Sequence, residues 1–282
     1  MIVVTGATGA LNGTTVDHLL QHVPASGVAV VARDPAAARR FAERGVEVRH
    51  GDYADPGSLP AAFAGADQLL LVSASDPAAD AVSLHRNAIE AAVAVGAGRV
   101  LYTSHQGAAP DSPFGPARDH FATEQLLERC GLPWTALRNG FYAHSLPWLV
   151  GPWRQTGTLR VPGEGPVSWT AREDAAEAAA VVLASGRHHD GPITLTAPAA
   201  PTFAEVASVA ADVSGRPVEV EPVDPERWVA DQVAAGQPEP AARFTLGIFL
   251  AAERGFFAGT DPLLGELLGR APRPVRDVLA AS

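Results

Sequence analysis

The sequence predicts an α/β protein built on a doubly wound parallel sheet. Three observations carry that prediction. Short apolar runs alternate with Ala- and Leu-rich stretches through the first half of the chain, the first run ends in the glycine turn "VTGATGALNG" (4–13), and two Asp-Pro pairs follow later runs where helices should begin.

Taken in order, "IVVT" (2–5), "VAVVA" (28–32), "VEVRH" (46–50), "QLLLVS" (68–73), "RVLYTS" (99–104) and "WTALR" (134–138) read as strands. The first, second and fourth are apolar enough for burial on both faces. Helices are expected at 11–22, 36–44, 57–64, 78–96 and 117–130. Asp34-Pro35 and Asp55-Pro56 each supply an N-cap with proline at the first helical position. After Arg138 the stretch "NGFYAHSLPWLVGPWRQTGTLRVPGEGPVSW" is rich in Gly, Pro and aromatics, which suits a loop-rich lid or pocket wall. A helix at 172–185 and a strand "ITLTA" (193–197) are expected to rejoin the sheet. Helical stretches at 202–214, 225–235, 239–255 and 261–268 complete a smaller, mostly helical lobe. The expected division is therefore a sheet core over 1–150, rejoined by about 168–198, with a lobe and lid over 151–167 and 199–282.

Composition narrows the class of partner. The 282 residues carry a net charge of −10 with no basic cluster, which argues against nucleic acid and anionic membrane surfaces and for a small-molecule partner. No apolar run approaches the roughly 20 residues of a membrane-spanning helix. No basic stretch precedes an apolar one at the start, so a cytoplasmic setting is expected. Cys130, the single cysteine, ends a helical stretch and is expected only to pack. All 21 basic residues are Arg, so a mechanism that needs a lysine is excluded.

The turn at 4–13 ends an apolar strand and opens a helix, the context in which such glycines bind a dinucleotide. Gly6 permits the tight turn, Gly9 lets backbone approach a pyrophosphate, and the helix N-terminus offers the positive end of its dipole. Phosphate contacts are expected from backbone between Gly6 and Leu11, with Thr5, Thr8 and Ala10 beside them. Asn12 stands where a third glycine normally lets the helix pack closely on the strand. A small polar side chain there should cost some stability or shift the helix without abolishing binding. Gly13, one residue on, is turned about 100° away and is not expected to substitute.

"TGATGAL" at the start, "VARDP" after the second strand, "GDYADPGSL" after the third, "VLYTS" on the fifth and "GLPWTALRNGFY" on the sixth together resemble the NmrA-like atypical short-chain dehydrogenase/reductases. Within that family the likeness is to the NAD(P)H:quinone oxidoreductase and triphenylmethane reductase branch. It extends through "REDAAEAAA" (172–180) and "GRAPRPVRDVL" (269–279). The resemblance implies that Arg33 contacts the 2′-phosphate of NADP, which is physically sensible because a guanidinium pairs with phosphate in a bidentate fork. NADP(H) is favoured on that ground; NAD(H) is the alternative, since Asp34 could turn toward a ribose hydroxyl. By the same resemblance Asp52, with Tyr53 beside it, reaches the adenine, and Val72, Ser73, Ala74, Thr103, Asn139, Gly140 and Phe141 border the cofactor.

The larger superfamily places Tyr and Lys four residues apart on a helix, often with Glu four further on. The matching positions here are Pro116, His120 and Glu124, so both the phenol acid and its lysine are gone. The superfamily's serine persists as Ser104. Reducing an unactivated ketone needs a proton as hydride arrives, whereas a quinone or cationic dye does not. The sequence therefore points to hydride transfer onto a flat, conjugated, electrophilic aromatic. His120 is expected either to hydrogen-bond the cofactor ribose or relay a proton, or to pair with Glu124. Ser104, His105 and Tyr142 are the other catalytic candidates, and His105 and His144 flank expected strand ends. Phe141, Tyr142, Trp148, Trp153 and Trp169 are candidates for the substrate wall, or for ordinary core. No His, Asp and Glu set has metal-ligand spacing, and "RHHD" (187–190) reads as a solvated loop. The Arg-, Ala- and Pro-rich, Lys-free composition suggests a GC-rich genome, and by association with such genomes an aromatic polyketide tailoring step is one setting, where a hydroquinone product handing electrons to oxygen would mimic oxygenase activity. The competing class is a non-catalytic dinucleotide-binding redox sensor.

Overall fold

A computed structural model describes residues 1–74, 79–186 and 188–281. Position 78 of the expected fourth helix, Arg187 of "RHHD" and residue 282 lie outside the described residues.

The chain runs β1 (Ile2–Thr5), α1 (Ala10–Leu19), β2 (Val28–Ala32), α2 (Arg39–Ala42), β3 (Glu47–His50), α3 (Leu59–Phe63), β4 (Gln68–Leu71), α4 (Ala81–Ala94), β5 (Val100–His105), α5 (Gly115–Arg129) and β6 (Trp134–Asn139). It continues through α6 (Leu146–Leu149), α7 (Trp153–Thr156), β7 (Thr158–Val161), α8 (Arg172–Ala184), β8 (Gly191–Leu195), α9 (Phe203–Ser214), β9 (Glu219–Pro222), α10 (Pro225–Ala234), α11 (Glu239–Glu253), α12 (Leu263–Leu268) and α13 (Val275–Ala281).

Seven strands form one sheet in the order β3-β2-β1-β4-β5-β6-β8, the doubly wound arrangement expected. The β1–β2, β1–β4, β2–β3 and β4–β5 pairs are all parallel, with Val4 opposite Val30 on one side and Leu70 on the other. Strand order reverses between β1 and β4. In such sheets ligands bind outside the carboxyl ends of the strands at that reversal, here Thr5 and the residues after Leu71.

The chain divides into two compact units. The first comprises Met1–Ser104, Asp119–Arg138 and Ala175–Ile193. Its core joins Val3, Ala29, Val31, Leu69, Leu71, Val100 and Tyr102 of the sheet to Leu59 and Phe63 of α3, Ile89 of α4 and Leu127 of α5. β2 is buried along its whole length, as its unbroken apolar run requires. Asp34 and Asp55 cap as the Asp-Pro pairs predict, accepting from the Ala36 and Gly57 amides, but each leads through a 3₁₀ turn into a single α turn. Cys130 is half-buried against this core.

The second unit comprises His105–Arg118, Asn139–Asp174 and Thr194–Ser282. Its core is aromatic, centred on Phe114, Phe141, Trp153, Trp169, Phe203, Trp228, Phe249 and Phe257. The Gly- and Pro-rich stretch expected as loop contains β7, which pairs in parallel with β9 from Thr158 opposite Glu219 to Val161 opposite Pro222. α9 opens on a capping box between Thr202 and Glu205. Asp174, fully buried, accepts from the Nη atoms of Arg270 and Arg273 at 2.9 Å and from the Arg273 amide at 2.6 Å, fixing the segment ahead of α13. Among the described residues, no helix is long and apolar enough to cross a membrane.

Candidate active site

In the first unit the glycine turn takes the shape its sequence requires. Gly6 has φ of 64°, and a Cβ there would stand 2.6 Å from Val72 Cγ1. Gly9 is the N-cap of α1 and its missing side chain leaves the first-turn amides uncapped. Thr8, Gly9 and Ala10 are exposed, so the start of α1 is open to solvent.

Asn12 behaves differently from expectation. It is buried, and its Nδ2 donates to the Thr5 carbonyl at 2.9 Å, tying α1 to the end of β1 rather than merely crowding it. The close approach falls to Gly13 instead, where a Cβ would lie 2.8 Å from the Ala7 carbonyl oxygen. Gly13 faces elsewhere than Asn12, as its offset round the helix requires, toward the Ala7 carbonyl and Arg40 Nη2 and not toward Thr5.

Arg33, just past β2, is exposed, and among the described residues it forms no ion pair. Its carbonyl is hydrogen-bonded to His50 Nδ1 at 3.0 Å. Asp34 spends its carboxylate on the Ala36 amide at 2.9 Å, so the acid beside Arg33 is a cap. Asp52 similarly accepts from the Ala54 amide. Tyr53 turns its hydroxyl to Thr5 Oγ1 at 2.7 Å. Burial raises the Tyr53 phenol well above its ordinary value.

The exit of β4 is held amide by amide. Val72 N donates to Thr5 Oγ1 at 2.9 Å, Ser73 N to Thr103 Oγ1 at 2.8 Å and Ala74 N to His85 Nε2 at 2.8 Å. Thr5 and Thr103 are among the residues that the sequence singles out; His85, on α4, is not. Its local context "LHRN" (84–87) resembles any helix surface, and only the fold brings it to Ala74.

Ser104 Oγ donates to Glu124 Oε1 at 2.6 Å, and Arg138 Nε donates to the same carboxylate at 2.9 Å. Glu124 is therefore occupied by Ser104 and Arg138, and His120 meets Tyr102 instead, Nδ1 to hydroxyl at 2.9 Å.

In the second unit His105 accepts the Gly107 amide on Nδ1 at 3.0 Å and lies edge-on to Phe141 and Phe257, with ring centroids 5.5 and 5.2 Å away. Burial lowers its pKa to about 4, so the ring is neutral. Asn139 Nδ2 donates to the Tyr142 hydroxyl at 3.1 Å, and burial pushes the Tyr142 phenol up to about 12. Tyr142 stacks on His144 at 5.6 Å. Gly140 is there for close packing, since a Cβ would stand 2.2 Å from Thr170 Oγ1. Of the five aromatic candidates, Phe141, Trp153 and Trp169 belong to the core, Tyr142 is half-buried and Trp148 is exposed. Among the described residues, no three His, Cys, Asp or Glu side chains are grouped to hold a metal.

Comparison with known proteins agrees with this architecture. The pattern of the NmrA-like family matches residues 1–243. Quinone oxidoreductase 2 of Escherichia coli (strain K12) is 32% identical over 270 residues, covering 95% of this chain and 94% of that protein. An NADPH-dependent quinone oxidoreductase from Escherichia coli, solved with NADPH, matches at a TM-score of 0.91 and 31% identity, covering 100% of this chain and 99% of that one. The Citrobacter sp. triphenylmethane reductase complexed with NADP(H) matches at a TM-score of 0.90 and 35% identity, with coverage of 100% and 99%.

Proposed function

The chain belongs to the NmrA-like family, and from that premise we propose that it is an NADPH-dependent reductase acting on a quinone or similarly flat, conjugated aromatic. The oxidoreductase class and the NADP(H) cofactor rest on relatives that span nearly the whole chain. The acceptor class rests on one observation. The Ser104 hydroxyl proton goes to Glu124, and the Tyr and Lys positions of the larger superfamily hold Pro116 and His120, so its usual acid machinery is dismantled. An acceptor that takes hydride without a concerted proton suits such a site.

When bound, NADPH supplies a hydride equivalent. The chain's part is to hold and to select. Uncapped amides at the start of α1 receive the pyrophosphate, and the open guanidinium of Arg33 receives the 2′-phosphate, which the committed carboxylate of Asp34 does not oppose. Thr5 and Thr103 fix the amides after β4. Tyr142 keeps its proton and accepts from Asn139, leaving its own hydrogen for a substrate oxygen. An aromatic polyketide quinone fits this acceptor class, and its hydroquinone would pass electrons to oxygen.

The test follows NADPH oxidation at its near-ultraviolet absorbance across a panel of quinones and cationic dyes, with oxygen uptake as a second readout. Turnover on conjugated acceptors and none on simple ketones is expected. Tight NADPH binding without turnover on any acceptor would replace the reductase with a redox sensor. Arg33→Ala should weaken NADPH by about 1.5–3 kcal/mol and leave NADH nearly unchanged; equal losses for both would remove Arg33 from the 2′-phosphate site.

A further inference from the structure

Three successive amides leave β4 in the hands of three side chains, and the third belongs to a buried histidine that the mechanism above does not use. We propose that His85 is a positioning residue for the cofactor: its neutral ring holds the Ala74 amide and so sets the path of residues 72–74 at the strand-order reversal, where a dinucleotide lies against the sheet. The inference rests on the dinucleotide-binding reading and names a residue that serves it.

The direction of every hydrogen bond around the ring is determined. An amide only donates, so His85 Nε2 offers its lone pair to Ala74 N at 2.8 Å. The ring proton then sits on Nδ1 and is given to Thr123 Oγ1, 2.8 Å away. Thr123 in turn donates to the Asp119 carbonyl at 2.8 Å. One tautomer satisfies all three bonds, and adding a second ring proton would set it against the Ala74 N–H. Desolvation favours the same state, lowering the His85 pKa to about 4. Tyr102 meets the ring at a centroid distance of 5.2 Å and an angle of 65°, which fixes its plane. At the start of α4, Asp80 accepts from the Ser83 amide at 3.2 Å and anchors the turn that carries His85. A residue needed only to fill the core would have no use for two polar atoms. Here one of them ends on an amide at the ligand edge of the sheet.

Two substitutions separate the two ends of the ring. His85→Asn keeps a donor for Thr123 but is too short to reach Ala74, whereas His85→Gln places an acceptor near the Nε2 position and gives up Thr123. The measurements are NADPH affinity by fluorescence titration, KM and kcat for NADPH and for a quinone, and hydrogen exchange of the Ala74 amide in cofactor-free protein. His85→Asn should raise the NADPH Kd and KM roughly 10-fold, the loss of about one buried hydrogen bond, while the quinone KM stays put and Ala74 exchanges faster. His85→Gln should stay within about twofold of the parent in NADPH affinity. Equal loss of stability in both variants with parental NADPH affinity, or an unchanged Ala74 exchange rate in His85→Asn, would overturn the proposal. Should His85→Asn not fold, Thr123→Val leaves ring and amide in place and removes the acceptor that fixes the tautomer. It should raise the Kd about threefold, and a parental value would overturn the proposal equally. Parent protein that binds no NADPH removes the function itself and His85's role with it; parent protein that binds alongside an unaffected His85→Asn removes the role alone.

Discussion

Asn12 carries more than its position suggests. Its amide is a strut between α1 and the Thr5 carbonyl, while its Oδ1 is buried with no hydrogen-bond partner among the described residues. Asn12→Gly removes that bond, at about 1 kcal/mol, and adds the helix cost of glycine, about another 1 kcal/mol, so both terms act in the same direction. A loss of roughly 2 kcal/mol is expected by thermal melting, with NADPH affinity within about fivefold of the parent because no phosphate ligand changes. A stabilised variant would show that relief of the orphaned Oδ1 outweighs the strut. Tyr142 provides a second test. With its phenol pushed up to about 12, the group stays protonated across the working range and should leave no inflection in a rate profile between about pH 6 and 10. Tyr142→Phe removes a hydrogen-bond donor to the oxyanion that develops on a quinone and should lower kcat on neutral quinones by about 10- to 100-fold, while a cationic dye, on which no oxyanion develops, is unaffected. Equal losses on both acceptors would reassign Tyr142 to packing.

At the scale of elements, Asp174 at the start of α8 gathers Arg270, Arg273 and the Arg273 amide into one buried carboxylate. Both guanidiniums keep a path to water, with 38% and 46% of their side chains exposed, so Asp174→Ala strands no buried cation. The expected cost is about 2–3 kcal/mol, together with faster tryptic cleavage after Arg270. Unchanged cleavage would mean that the segment before α13 is held by its apolar contacts alone. Elements differ in how far the sequence reveals them. β1, β2 and β4 are legible because strands covered on both faces must be apolar throughout. The turn after β1 is legible because only glycine adopts the Gly6 conformation without strain. β7 and β9 leave no local trace: each has four residues, and Thr158 finds its partner only at Glu219. Burial separates Trp153 and Trp169 from the exposed Trp148, a distinction that an aromatic-rich stretch without periodicity does not encode. His85 is hidden for a related reason, since its partners Ala74 and Thr123 are distant in sequence.

Across the whole molecule, acid should be destabilising. His85 in the first unit and His105 in the second are both neutral when folded, with pKa values lowered to about 4. Between about pH 6.5 and 4 the unfolded chain binds protons that the folded chain refuses, so stability falls as pH falls through that window and is retained above it. His85 alone accounts for a loss on the order of 3 kcal/mol by pH 4. Melting temperature measured from pH 7.5 to 4.5 should decline, less steeply in His85→Gln; a flat profile would mean that these rings are charged or solvated when folded. The three clamped amides after β4 also bear on how this protein can be rebuilt. Their geometry is written at Thr5, His85 and Thr103, on three different elements, and not in residues 72–74 themselves. A chimera that imports the 68–74 segment into another scaffold would carry the strand and leave its shape behind, whereas one that also transfers the two threonines and the histidine would move the site intact.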